Sequence, residues 1–213
     1  MSNAGEVSIQ LEDTMRERLG GVVLGLLLTA TMATQAGARV GLGVGLAAPA
    51  GGFADAAGGG PELFVEYSQI RSDNIEVGGA LSIAALGGQE FTFGGAKFAE
   101  TTYAAAPLVG FARFYPNGVE NGGIYGGLRS GWVSVAAELT FDDPLLSNLE
   151  SDETESSIAF GPEIGFLSGR FGVYASYMWT GIEISYIEVD AFGNFVPETA
   201  TISWIEAGLK VSF

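Results

Sequence analysis

Between Arg39 and Phe213 the side chains alternate, apolar then small or polar, with a period of two, and the pattern restarts repeatedly to the end of the chain. In the first such segment Val40, Leu42, Val44 and Leu46 fall on one side and Gly41, Gly43 and Gly45 on the other. This is the dyad of a β-strand with one apolar face. It returns as Leu63, Val65 and Tyr67 against Glu62, Phe64, Glu66 and Ser68. Beyond the turn Arg71-Ser72-Asp73-Asn74 it returns again, as Ile75, Val77, Leu81 and Ile83 against Glu76, Gly78, Ala80 and Ser82. Further apolar sets are Leu108, Ala112 and Phe114, with Arg113 opposite, then Ile124, Leu128 and Trp132, with Tyr125, Gly127, Arg129 and Gly131 opposite. Ile158, Phe160, Ile164 and Phe166 oppose Ser157, Gly161 and Glu163, and after Ser168-Gly169-Arg170 come Phe171, Val173, Ala175, Tyr177 and Trp179. The last set is Ile205, Ala207, Leu209, Val211 and Phe213, against Glu206, Gly208, Lys210 and Ser212.

So much apolar surface must be covered. Hydrophobic residues make up 47% of the 213, only 16% are charged, and the formal net charge is -16. After the first forty residues no run of 18 or more apolar residues occurs, so the alternating part holds no membrane-spanning helix. If lipid is the cover, every backbone N–H and C=O inside it needs a partner, and strands satisfy that only by closing into a barrel. The segments amount to about eight strands, an even number, joined alternately by short and long connections as in transmembrane barrels. The long connections are expected at residues 48–60, 86–101, 140–155 and 183–200, with ten strands as the alternative if residues 91–98 add a hairpin. Tyr67, Phe114, Tyr115, Trp132, Tyr177, Trp179 and Trp204 are expected in aromatic girdles at the two interfaces. The expected fold is an all-β, membrane-type, antiparallel up-and-down barrel. Alternation alone does not separate it from a soluble sandwich or a lipocalin-like ligand-binding barrel.

The start of the chain reads as an address. Met15-Arg16-Glu17-Arg18, the apolar stretch from Leu19 to Ala30, and Ala36-Gly37-Ala38 have the order of a secretory signal peptide with a small-x-small cleavage site. Residues 1–14 carry Glu6, Glu12 and Asp13, too acidic for such a leader, so translation is expected to begin at Met15. The division is then 1–38 signal peptide and 39–213 barrel domain, exported from the cytoplasm.

Composition removes whole classes of chemistry. The chain has no cysteine and no histidine, hence no disulfide, no thiolate site and not the usual general base. No Gly-x-Ser-x-Gly elbow is present. No enzyme activity and no cofactor is expected. The acidic balance argues against a nucleic-acid partner, whose phosphates need a basic surface.

If the apolar sets face lipid, Glu62, Glu66, Glu76, Arg113, Arg129, Glu163, Glu206 and Lys210 point into the lumen. An eight-stranded barrel is just wide enough to be filled by side chains. Charges of both signs there are expected to pair, because an unpaired buried charge is costly, and to close the lumen. A narrow ion or small-solute path lined by the carboxylates, porin-like, is the alternative. Residues 142–155 concentrate acidic groups and read as a solvated loop, with Asp142, Asp143, Asp152 and Glu153 as the alternative oxygen donors for a divalent cation. The Gly/Ala-rich stretch 48–60 reads as a mobile tip, and its glycines form no phosphate loop because no Lys-Ser/Thr pair follows.

The octet Glu206-Ala207-Gly208-Leu209-Lys210-Val211-Ser212-Phe213 resembles the assembly signal on the last strand of outer-membrane proteins, in the positions Glu206, Gly208, Val211 and Phe213. Together with Ala106-Pro107-Leu108 to Tyr115 and Tyr125-Gly126-Gly127-Leu128, the chain from Arg39 onward is similar to the small OmpA/OmpX-like barrels of the outer membrane protein beta-barrel domain family. That resemblance implies a Gram-negative outer-membrane location and insertion by the barrel-assembly machinery. It also implies contact with outer-membrane lipid and lipopolysaccharide. A monomer with a structural or surface-interaction role through its acidic outer connections is expected.

Overall fold

In the computed structural model each alternating segment pairs with the next in sequence, and the last returns to the first, so that one antiparallel sheet closes on itself. The structure describes residues 37–93, 96–141, 151–189 and 195–213. The eight strands are β1 (Ala38–Pro49), β2 (Gly60–Ser72), β3 (Ile75–Phe93), β4 (Ala96–Phe114), β5 (Gly123–Phe141), β6 (Ser151–Ser168), β7 (Phe171–Val189) and β8 (Phe195–Ser212). Closure runs from Gly41 opposite Ser212 to Pro49 opposite Trp204. It extends to Phe213, whose N–H donates to the Val40 carbonyl at 2.8 Å and whose carbonyl accepts the Val40 N–H at 3.2 Å. The expected signal peptide lies outside the described residues except for Gly37 and Ala38, and so do the extension 1–14 and the candidate donors Asp142 and Asp143.

The two faces divide as a dyad requires. Leu46, Leu63, Leu108, Leu128, Ile164 and Leu209 are all at least 60% exposed, on the outside of a barrel whose inside holds the charged residues. A continuous belt of that kind is a protein–lipid surface. The belt has an upper edge: above Trp132 the outward positions of β5 become Ser134, Ala136 and Glu138, and above Ile158 those of β6 become Ser156 and Thr154. Phe160 stacks on Trp179 with centroids 5.7 Å apart, and Tyr177 packs against Trp179 at 4.3 Å, marking that edge with rings. Two expected girdle residues are not in it. Tyr115 and Trp204 are both 0% exposed and turn inward. Trp204 shares the parity of Glu206 and Lys210, and parity outranks proximity to a strand end.

Three of the four stretches expected to be long loops are strand where the structure describes them, at residues 86–93, 96–101, 140–141, 151–155, 183–189 and 195–200. β3 and β4 stay paired up to Phe93 opposite Ala96, so residues 91–93 and 96–98 belong to these two strands and add no further one. β6 begins at Ser151, with Asp152 opposite Glu138 and Glu153 opposite Ala137, so the acidic residues 152–155 sit on a paired strand. β7 and β8 pair up to Val189 opposite Phe195. The physical reason is that above the belt the outward face of these extensions meets water, so the apolar/polar contrast between the two faces fades although the ladder continues. A strand of 19 residues is about 60 Å long, and tilted by about 40° it rises about 45 Å, well beyond the roughly 25 Å lipid-facing band.

The fourth stretch is also fastened. After β1 the chain makes a 3₁₀ turn, Gly51–Asp55, that pushes Phe53 into the mouth of the barrel. Phe53 is 0% exposed and meets Tyr103 edge-on, centroids 5.4 Å apart, among Leu86, Ile182, Ile202 and Trp204. Ala50 N–H donates to the Ser203 carbonyl at 2.9 Å, and the Ser203 hydroxyl donates to the Ala50 carbonyl at 3.0 Å. The stretch expected as a mobile tip is thus held in place, because one aromatic residue in an otherwise featureless Gly/Ala run finds an apolar socket.

Candidate functional site in the barrel lumen

All eight charged residues expected inside are buried there, none more than 5% exposed. Glycines on the opposing strand make the room. A Cβ on Gly41 would stand 2.6 Å from the Glu66 Cγ, one on Gly43 would run into the Phe64 ring, and one on Gly208 would come within 2.8 Å of the Tyr174 ring. The Gly-x-Gly-x-Gly run of β1 is therefore the counterpart of the large inward residues of β2, and Gly208 of β8 that of Tyr174 on β7, as expected of a small barrel whose interior must be filled.

Arg113 sits at the centre. Its Nη2 donates to Glu66 Oε2 at 2.7 Å and its Nη1 to Glu66 Oε1 at 3.1 Å, a two-pronged pair, while Nε donates to Glu163 Oε1 at 2.6 Å. Its guanidinium lies 3.8 Å from the centre of the Phe111 ring. Lys210 Nζ donates to Glu66 Oε1 at 2.8 Å, so Glu66 holds two cations from opposite walls. Arg129 continues the chain: its Nη1 donates to Glu206 Oε2, and its Nε lies 3.5 Å from Glu163 Oε2. Glu206 also receives the Ser176 hydroxyl at 2.8 Å and the Trp204 indole N–H at 2.7 Å. Glu76 accepts from the Ser68 and Tyr115 hydroxyls, both at 2.7 Å, with Arg113 Nη1 at 3.5 Å. Charge-assisted, multiply bonded contacts of this kind are short and directional, and they hold the side chains at fixed heights.

Glu62 is the exception. Its Oε2 accepts the Tyr174 hydroxyl at 2.9 Å, its Oε1 has no hydrogen-bond partner, and no ion pair among the described residues reaches it. The sequence reading did not single out Tyr115, Tyr174, Ser68, Ser176 or Trp204 as members of the network. The parity of their strands, or for Tyr115 its place at the mouth, was the available signal. Chemically the lumen is a set of carboxylates, guanidiniums, an ammonium and hydroxyls, most of them bonded to a neighbour, while Glu62 Oε1, Arg129 Nε and the hydroxyls of Ser82 and Tyr125 are buried without a hydrogen bond. Of the alternative metal donors, Glu153 is an exposed residue of β6, and Asp152 lies on the same strand, opposite Glu138.

No family model matches the chain, and no curated protein sequence does. Among solved structures, Ail, the attachment invasion locus protein of Yersinia pestis, superposes with a TM-score of 0.54 at 11% identity, over 83% of this chain and 97% of that one. The chain has the fold of the small outer-membrane β-barrels. The N-terminal β-barrel domain of Pseudomonas aeruginosa OprF matches with a TM-score of 0.49 at 11% identity, over 83% of this chain and 98% of that one. OprG of the same organism gives 0.49 at 14%, over 84% and 97%. At these identities the likeness is one of fold. The positions that resemble an assembly signal lie on the closing strand: Glu206 and Gly208 look inward, and Phe213 stands 64% exposed beside the seam with β1.

Proposed function

We propose that this protein is an exported integral barrel of the outer membrane, closed to diffusion, that acts as a structural or surface-interaction element through the acidic strands and hairpins beyond its lipid belt. The observation that carries this reading is the lumen, crossed from wall to wall by the ion pairs of Arg113 with Glu66 and Glu163 and of Arg129 with Glu206. An interior packed in this way leaves an ion no continuous wet path, and displacing a cation from buried carboxylates would leave charges unpaired. The apolar cluster around Phe53 supports the same reading at one mouth. Enzymatic activity is not part of the proposal, since the chain has neither histidine nor cysteine to carry it. Lipid and lipopolysaccharide are its proposed surroundings, the barrel-assembly machinery its partner during insertion, and the monomer its working state.

The test is conductance of the refolded barrel in a planar bilayer. Folding is verified by the different gel migration of unheated and boiled samples. No steady unitary current is expected. Stable, reproducible currents would overturn the closed lumen and favour a narrow ion path lined by the carboxylates.

A further inference from the structure

The ring of strands is not zipped along its whole height. β6 and β7 pair from Ser168 opposite Phe171 up to Ala159 opposite Thr180, and there the pairing stops. Beyond it β6 remains paired to β5, as far as Ser151 opposite Leu139, and β7 remains paired to β8. The cause is local to β7. The β7–β8 register shifts between Trp179 and Glu183, and Thr180 anchors the irregularity: its hydroxyl donates to the Ile202 carbonyl at 2.8 Å and accepts the Ile182 N–H at 3.1 Å. A bulge bends its strand and increases the local twist, here carrying β7 toward β8 and away from β6.

The parting opens into a cavity of about 320 Å³ just above the lipid belt. Its floor is apolar, with Tyr103, Val135, Ile182 and Ile202 each 8% exposed or less. Its mouth is acidic, with Glu153, Glu155 and Glu183 lining it. Glu155 and Glu153 pair with Val135 and Ala137, so both carboxylates share the face that looks into the cavity. No ion pair among the described residues engages any of the three. The basic residues among the described residues lie elsewhere: Arg113, Arg129 and Lys210 are buried in the lumen network, Lys97 is bonded to Glu100, and Arg39, Arg71 and Arg170 stand at the end of the short turns.

We infer that this cavity is a binding site for a compact organic ammonium ion with an apolar body. The volume is at the small end of the roughly 300–1,000 Å³ of small-molecule sites. A bare divalent cation needs about six to eight oxygen ligands around it, and among the described residues no three acidic side chains converge closely enough to hold one. An anion is repelled by the three carboxylates. A neutral apolar molecule would strip water from those carboxylates without offsetting the loss, whereas an ammonium group placed at the mouth replaces that water with charge. The Tyr103 ring, held edge-on against Phe53, adds an aromatic wall, the surface on which organic cations bind well. The inference is independent of whether the lumen conducts, so a current in the bilayer experiment would leave it standing.

The experiment titrates 2-phenylethylammonium chloride into the folded barrel in zwitterionic micelles at about 0.15 M salt, where exposed charges are screened over about 8 Å. Binding is followed by calorimetry, with 2-phenylethanol, calcium chloride and a lysine-rich peptide as comparison ligands. Saturable one-to-one binding of the ammonium ion is expected, at least tenfold tighter than that of the alcohol. The triple variant Glu153→Gln, Glu155→Gln, Glu183→Gln is expected to weaken it at least tenfold. Filling the floor by Ile182→Trp, or by Val135→Phe should the first variant fail to fold, is expected to abolish it. Equal binding of the alcohol, no saturable binding, or binding that survives the filled floor would each overturn the inference. Calcium or the peptide occupying the same site more tightly would overturn it as well, and would reassign the rim to those partners.

Discussion

Arg113 is the residue whose loss would be felt most. It is 3% exposed and shared between Glu66, Glu163 and Glu76, so Arg113→Met removes a cation and leaves carboxylates buried without their partner. Breaking one side of a buried pair typically costs about 3–5 kcal/mol. Urea-induced unfolding in micelles should therefore show Arg113→Met destabilised by about that much, and the double variant with Glu66→Gln less destabilised than the sum of the singles, because the two changes remove one contact. Additive effects would mean that Glu66 is held chiefly by Lys210. Whether a side chain such as Glu66 points inward could be read from parity alone. Which cation it would meet could not, since Lys210 lies 144 residues further along the chain and reaches Glu66 only because the barrel closes.

At the scale of an element, the β1–β2 connection and the upper half of β7 depart most from what their sequences suggest. The connection is rich in glycine and alanine, yet its single phenyl ring decides its position. Phe53→Ala is expected to cost about 3–5 kcal/mol, the usual range for deleting a buried phenyl ring. The same change should release the turn, so limited proteolysis should cut within residues 48–60 in the variant and spare them in the parent. Cleavage at equal rates would show that the turn is held by its backbone bonds to Ser203 alone. In β7 the alternation carries on through Thr180, Gly181 and Ile182, and nothing in it announces the shifted register. A bulge is a matter of which partner groups lie within reach, and that is set by the neighbouring strand.

For the whole molecule, lipid is what makes the architecture consistent, and the height of the lipid belt can be mapped. Leu128, 69% exposed, lies within the belt, and Ser134 lies above it on the same strand and face. Leu128→Arg should destabilise the barrel in phospholipid vesicles by about 2–4 kcal/mol, while Ser134→Arg should stay within about 1 kcal/mol. Equal costs would move the belt. Orientation is testable too, because the chain has no cysteine of its own. A single Thr154→Cys, on the exposed face of β6 above the belt, should react with a membrane-impermeant maleimide on intact cells. Protection until the cells are opened would invert the proposed orientation or withdraw the outer-membrane location.

The period-two pattern by itself determined that the chain is a sheet, which residues face outward, and that eight charged residues share the interior. It could do so because lipid on one side and a packed lumen on the other impose opposite chemistry on successive residues. Tertiary structure alone decided the pairing among those charges, the inward turn of Tyr115, the length of the strands beyond the lipid, and the parting of β6 from β7. Parity tells in from out, but the height at which a side chain meets its partners follows from strand register and closure, which bring together residues far apart in sequence.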